Sequence, residues 1–139
     1  MRRILLIIIP ISVVFALIAA IRNFAEGDAI QASLPSGTQV VKIYRGGGGG
    51  NGDFVYALKA KISLPDYLSF VKGKGLVDDS LDPTSVIGYE PSGGDLPVDK
   101  REGWDEPYRP EVKYYKRHKR HFIRASYNNG IMYYFSRGW

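Results

Sequence analysis

Cysteine is absent from the 139-residue chain, so it has no disulfide, thiolate metal ligand, nucleophilic thiol or lipid-modified N-terminal cysteine. The fold must stand on its core alone. The patterns of catalysis are also missing. No serine sits in a nucleophile-elbow motif, and no pair of carboxylates occupies a recognisable frame for acid–base work. Acidic residues stop at Glu111, and the following segment, Val112 to Trp139, holds seven Lys and Arg and no acid. Charge of either sign is missing from Ile4 to Ile21. Aromatic residues, by contrast, are plentiful, with 10 Tyr, 6 Phe and 2 Trp. That supply suits one small packed domain with an appendage and argues against a disordered chain.

The net charge of +5 is unevenly spread. Leu76 to Glu111 contains ten acids against Lys100, Arg101 and Arg109. The acidic segment can neutralise much of the basic one within the molecule, so the overall charge says little about partners.

The uncharged run follows Arg2 and Arg3. It exceeds the ~7–15 residues of a signal-peptide core and approaches the ~20 that span a bilayer. In lipid its backbone must be satisfied internally, so a helix is expected, kinked at Pro10. Cleavage after Ala19 or Ala20 would leave Leu17 or Ile18 where a small residue is required, and cleavage after Ala29 places Gly27 there in a charged context. These sites favour an uncleaved signal anchor over residues 1–22. The positive flank belongs in the cytoplasm. The expectation is a single-pass protein of the cytoplasmic (inner) membrane with its C-terminal domain outside the cytoplasm, in the periplasm or at the cell exterior.

Residues 23–37 read as a linker, either a short helical extension as far as Ala32 or a flexible tether, and 38–139 as the exported domain. Thr38 to Arg45 is rich in β-formers. After a glycine run, Phe54, Tyr56, Leu58, Ala60 and Ile62 alternate with Val55, Ala57, Lys59 and Lys61, a period-two pattern with the first set toward the core. These strands should form a hairpin. "SLPDYLSFVKGKG" predicts a short helix with Ser63 as N-cap, Asp66 three residues on, an apolar face of Leu64, Tyr67, Leu68 and Val71, and a stop at Gly73. Five of the eight prolines fall between Leu76 and Glu111. This stretch shows no periodicity and reads as a long irregular connection, pinned by Val86, Ile87, Tyr89 and Trp104. "EVKYYKR", "HFIRASYN" and "IMYYFSR" read as strands, the last two joined through Asn129-Gly130. The fold class is α+β: a transmembrane helix, then about five antiparallel strands with one helix packed on the sheet.

Lys113, Lys116, Arg117, His118, Lys119, Arg120, His121 and Arg124 concentrate cationic side chains around one strand junction, interleaved with aromatics. Nucleic acid would suit that composition, but the predicted topology denies access to it. The remaining readings are contact with an acidic protein surface, attraction to anionic lipid at ~1 kcal/mol per basic residue, or a solvated turn neutralised by the acidic loop. His118 and His121 alone are a poor zinc pair. Asp78, Asp79 and Asp82 lack the spacing of a calcium loop. The glycine run leads into Asp53 and a strand, whereas a phosphate loop opens a helix. Trp104 is either an exposed anchor for a partner or a plug at the edge of the core.

No metal or cofactor is expected. The reading that follows is a membrane-anchored, envelope-facing module that binds another protein, as an accessory subunit or an immunity-type inhibitor. Lys113, Lys116, Arg117, Lys119, Arg120 and Arg124 would steer the partner, with Trp104 as anchor. The alternatives are an envelope hydrolase drawing carboxylates from the acidic loop, and a binder of anionic lipid or cell-wall surfaces.

Overall fold

The computed structural model describes residues 13–14, 17–18, 21, 25–47, 54–79, 96–119 and 121–138. They belong to two compact units, Met1–Ala32 and Ser33–Trp139. In the first, residues 25–32 form a helix, α1, which decides for helix over tether in that part of the linker. The described positions upstream are also helical, and Val13, Val14, Leu17, Ile18 and Ile21 are exposed there. Among the described residues no helix is long and apolar enough to cross a membrane. Most of the uncharged 4–21 run, Pro10 included, lies outside them.

The second unit is a small α+β domain with a six-stranded antiparallel sheet. Its strands are β1 (Gln39–Gly47), β2 (Phe54–Lys61), β3 (Val77–Asp78), β4 (Val112–His118), β5 (His121–Asn128) and β6 (Ile131–Gly138). Their order across the sheet is β1-β2-β6-β5-β4-β3. Among the described residues this unit has the one expected α-helix and six strands where about five were expected. The extra strand comes from the stretch read as irregular: Val77 and Asp78 pair with Tyr115 and Tyr114. Two residues are too few for periodicity to reveal, and only the neighbouring strand makes them extended.

Helix α2 (Leu64–Gly73) starts as its sequence demands. Ser63 Oγ accepts from the Asp66 backbone N–H at 3.3 Å and donates to Asp66 Oδ2 at 2.6 Å, and Pro65 occupies the first turn, where no backbone donor is missed. The helix ends at the predicted Gly73, and the glycine that closes it is Gly75. Gly75 takes φ +63°, its N–H bonds Lys72 O at 3.0 Å, and the N–H of Leu76 bonds Val71 O at 3.0 Å. That pair of bonds is a Schellman closure, which needs a residue free to enter the left-handed region.

Strand alternation gives the sheet two faces. On one, α2 lays Tyr67, Phe70 and Val71 over Tyr56, Leu58, Ala125, Tyr127, Met132 and Tyr134. Tyr67 stacks at 5.2 Å on Tyr127 and 6.1 Å from Tyr114, and Phe70 meets Tyr134 edge-on at 5.9 Å. Tyr67 Oη donates to Ala125 O at 3.0 Å inside this layer, and burial pushes its phenol well above the ordinary range. On the other face a second cluster forms from Val55, Ala57, Tyr133 and Phe135 with Leu96 and Trp104 of the 96–110 segment. Val55 and Ala57, expected on the solvent side of the period-two pattern, are therefore buried. The central strands β2 and β6 are covered on both sides. A strand enclosed in this way reads as a continuous apolar run, which the Phe54–Leu58 stretch is.

The hairpin turns follow local chemistry. Asn129 and Gly130 both have positive φ, +49° and +77°, as a tight two-residue turn between twisted strands requires. β1 and β2 pair as expected, with a bulge between Val40 and Lys42.

Candidate functional site

Two places concentrate polar chemistry: the underside of the 96–110 segment and the β4–β5 hairpin. The first is a fastening. Lys59, in the middle of β2, donates to Gly103 O at 3.1 Å and ion-pairs with Asp105. Tyr133 Oη donates to Asp105 Oδ1 at 3.2 Å. Lys42 Nζ donates to the Glu102 carbonyl and lies 5.8 Å above the Trp104 ring. Ser126 Oγ, fully buried, donates to Oε1 of the buried Glu106. The Lys59 hydrogen bond holds the Asp105 carboxyl below the usual carboxylate range. Burial, and then the Asp105 charge, raises the Tyr133 phenol. Sequence reasoning missed this set. Its one signal was Lys59, a cation breaking the apolar run of a central strand.

Trp104 is 7% exposed and packs in the second cluster, so the plug reading describes its place in the fold. Its Nε1 is buried without a hydrogen-bond partner among the described residues.

The basic residues are sorted by the pleat. Lys113, Tyr115 and Arg117 point to the loop side of the sheet, Lys116 and His118 to the helix side. Lys113 is ion-paired with Asp79 at 2.7 Å. Lys116 Nζ donates to Lys74 O at 3.3 Å. Arg124 is half-buried, 5.6 Å above the Phe135 ring. Only Arg117, His118 and Lys119 are exposed without a hydrogen bond or ion pair among the described residues. Lys119 turns the chain with φ +48°, and Arg120 lies outside the described residues. Among the described residues, the loop acids meet the basic segment at Lys113.

The two histidines face each other in the β4–β5 register but part in role. His121 Nε2 lies 2.8 Å from Ser136 Oγ and its ring 5.8 Å from Phe54, while His118 is exposed. Ser136 is fully buried. Its hydroxyl satisfies the histidine inside the sheet.

Four carboxylates of the described loop are engaged one at a time, while the Glu102 side chain is exposed. Asp99 pairs with Lys100 at 2.8 Å, Asp105 with Lys59, Glu106 with Ser126, and Glu111 accepts from the Asn129 N–H at 2.7 Å. Among the described residues no three His, Asp or Glu gather as a metal cluster. Asp82, Glu90 and Asp95 lie outside them, as do Val86, Ile87, Tyr89 and the glycine run beyond Gly47.

The chain matches no family model, no curated protein and no solved structure.

Proposed function

We propose that the chain is a membrane-anchored, envelope-facing module that binds an acidic surface of another protein through the tip of its β4–β5 hairpin. The observation that carries this is the contrast along one strand. Lys113 is neutralised by Asp79, whereas Arg117 and Lys119 are exposed and make no ion pair among the described residues. The β4–β5 hairpin presents these charges at its exposed tip, where they can steer an acidic partner. The anchor rests on the uncharged sequence run from Ile4 to Ile21. Accessory subunit and immunity-type inhibitor both suit a module in which Asp105 and Glu106 help fasten the fold.

The test is gentle solubilisation of the full-length protein from its native membrane, followed by mass spectrometry of what co-purifies. A stoichiometric protein companion that is lost in the Arg117→Glu/Lys119→Glu variant, with the melting curve unchanged, is the expected result. A companion retained by that variant refutes the assignment to the tip. Recovery of the protein alone, with salt-sensitive binding to anionic vesicles, transfers the surface to lipid.

A further inference from the structure

The two edges of the sheet are finished differently. At one edge β3 is two residues long, and the rest of β4 exposes Lys116, Arg117 and His118. Short length and charge are the usual defences of an edge against pairing with another chain. At the other edge β1 runs for nine residues with no neighbour on its outer side among the described residues. It contains no proline, and both of its cations are turned back onto their own domain. Lys42 reaches Glu102 and Trp104, and Arg45 lies 5.7 Å above the Tyr56 ring. Val40, Val41 and Ile43 are left 39%, 48% and 36% exposed.

We propose that β1 is a self-association edge, pairing antiparallel with β1 of a second copy about a two-fold axis through Tyr44. A second copy is the occupant because the strand can pair with itself in a regular register that opposes no like charges. A continuous antiparallel sheet puts opposed residues on the same face, so the axis must pass through a residue. An axis at Lys42 or Arg45 sets two like charges directly opposite, which destabilises cross-strand pairs. An axis at Ile43 opposes Arg45 to Val41, inside the bulge between Val40 and Lys42. An axis at Tyr44 uses only the regular stretch. It sets Tyr44 against Tyr44, Ile43 against Arg45 and Lys42 against Gly46, with no like charges opposed. Gly46 carries no side chain of its own, and the Tyr44 ring of the same strand lies over it. The pairing joins two six-stranded sheets into one of about twelve strands, within the range known for open sheets.

The experiment uses the full chain in detergent micelles and exploits the absence of cysteine. Sedimentation equilibrium should give a dimer, and Ile43→Lys, which opposes a lysine to Arg45 of the other copy, should weaken it at least about tenfold. Mixed Ile43→Cys and Arg45→Cys proteins should form a 43–45 disulfide on mild oxidation, because opposed residues have Cβ atoms about 4.5–5.5 Å apart. Val98→Cys, exposed on the 96–110 segment, should remain unlinked as a collision control. A monomer at every concentration overturns the proposal, and so does a dimer that forms no 43–45 disulfide. Should Ile43→Lys fail to fold, the disulfide assay decides alone. An Ile43→Cys protein that links to itself faster than to Arg45→Cys overturns the register.

Discussion

Trp104→Ala measures whether the second face of the sheet is a true core. Trp104 is the largest side chain that the 96–110 segment contributes to that face, in contact with a cluster containing Val55, Ala57, Leu96, Tyr133 and Phe135. A tryptophan buries about 150–250 Å². At about 25 cal/mol per Å² that is about 4–6 kcal/mol as an upper bound, and truncations of buried Trp cost about 3–5 kcal/mol. For a domain with a total stability of about 5–15 kcal/mol, Trp104→Ala should remove a large share. Trp104→Phe should be much milder than its loss of ring area implies. The indole Nε1 is buried without a partner among the described residues, and such an unsatisfied donor costs about 1–3 kcal/mol, which phenylalanine would relieve. The assay is urea denaturation followed by far-UV circular dichroism, with the m-value checked for constancy. A Trp104→Ala loss below about 1 kcal/mol would refute a packed second face. A Phe variant as damaging as Ala would refute the reasoning about Nε1.

Tyr67→Phe deletes the buried hydrogen bond to Ala125 O while keeping the ring against Tyr114 and Tyr127; a loss of about 0.5–1.5 kcal/mol in the same urea assay is expected, and no change would mean the bond contributes nothing net. Asp105 has its carboxyl lowered in the fold by the Lys59 hydrogen bond. Its contribution is therefore present above the ordinary carboxylate range and lost as pH falls through the lowered folded value. Because Asp105 is 73% exposed on its side chain, the effect is expected at only about 0.2–1 kcal/mol. Asp105→Asn should shrink the stability difference between pH 7 and pH 3 by that amount, and an unchanged difference would remove the ion pair from the acid limb.

The sequence alone determined what local chemistry can dictate. Ser63, Asp66 and Pro65 specify where α2 begins because they satisfy or forgo its first backbone donors. Asn129-Gly130 specifies the β5–β6 turn because few residues accept positive φ there. Alternation located β2, β-forming composition and turn signals located β1, β4, β5 and β6, and composition located the basic hairpin. What tertiary structure decided is everything set by a neighbour distant in sequence. β3 exists because β4 lies beside it. Val55 and Ala57 are interior because the 96–110 segment crosses a face that alternation assigned to solvent, and Lys59 tolerates that burial because Asp105, Gly103 O and Tyr133 meet it there. The basic cluster, continuous in sequence, is divided by the pleat and by Asp79, Lys74 and Phe135, leaving Arg117, His118 and Lys119 at the tip. Periodicity reports which side of a strand a residue takes; which side is buried depends on what the rest of the chain lays over it.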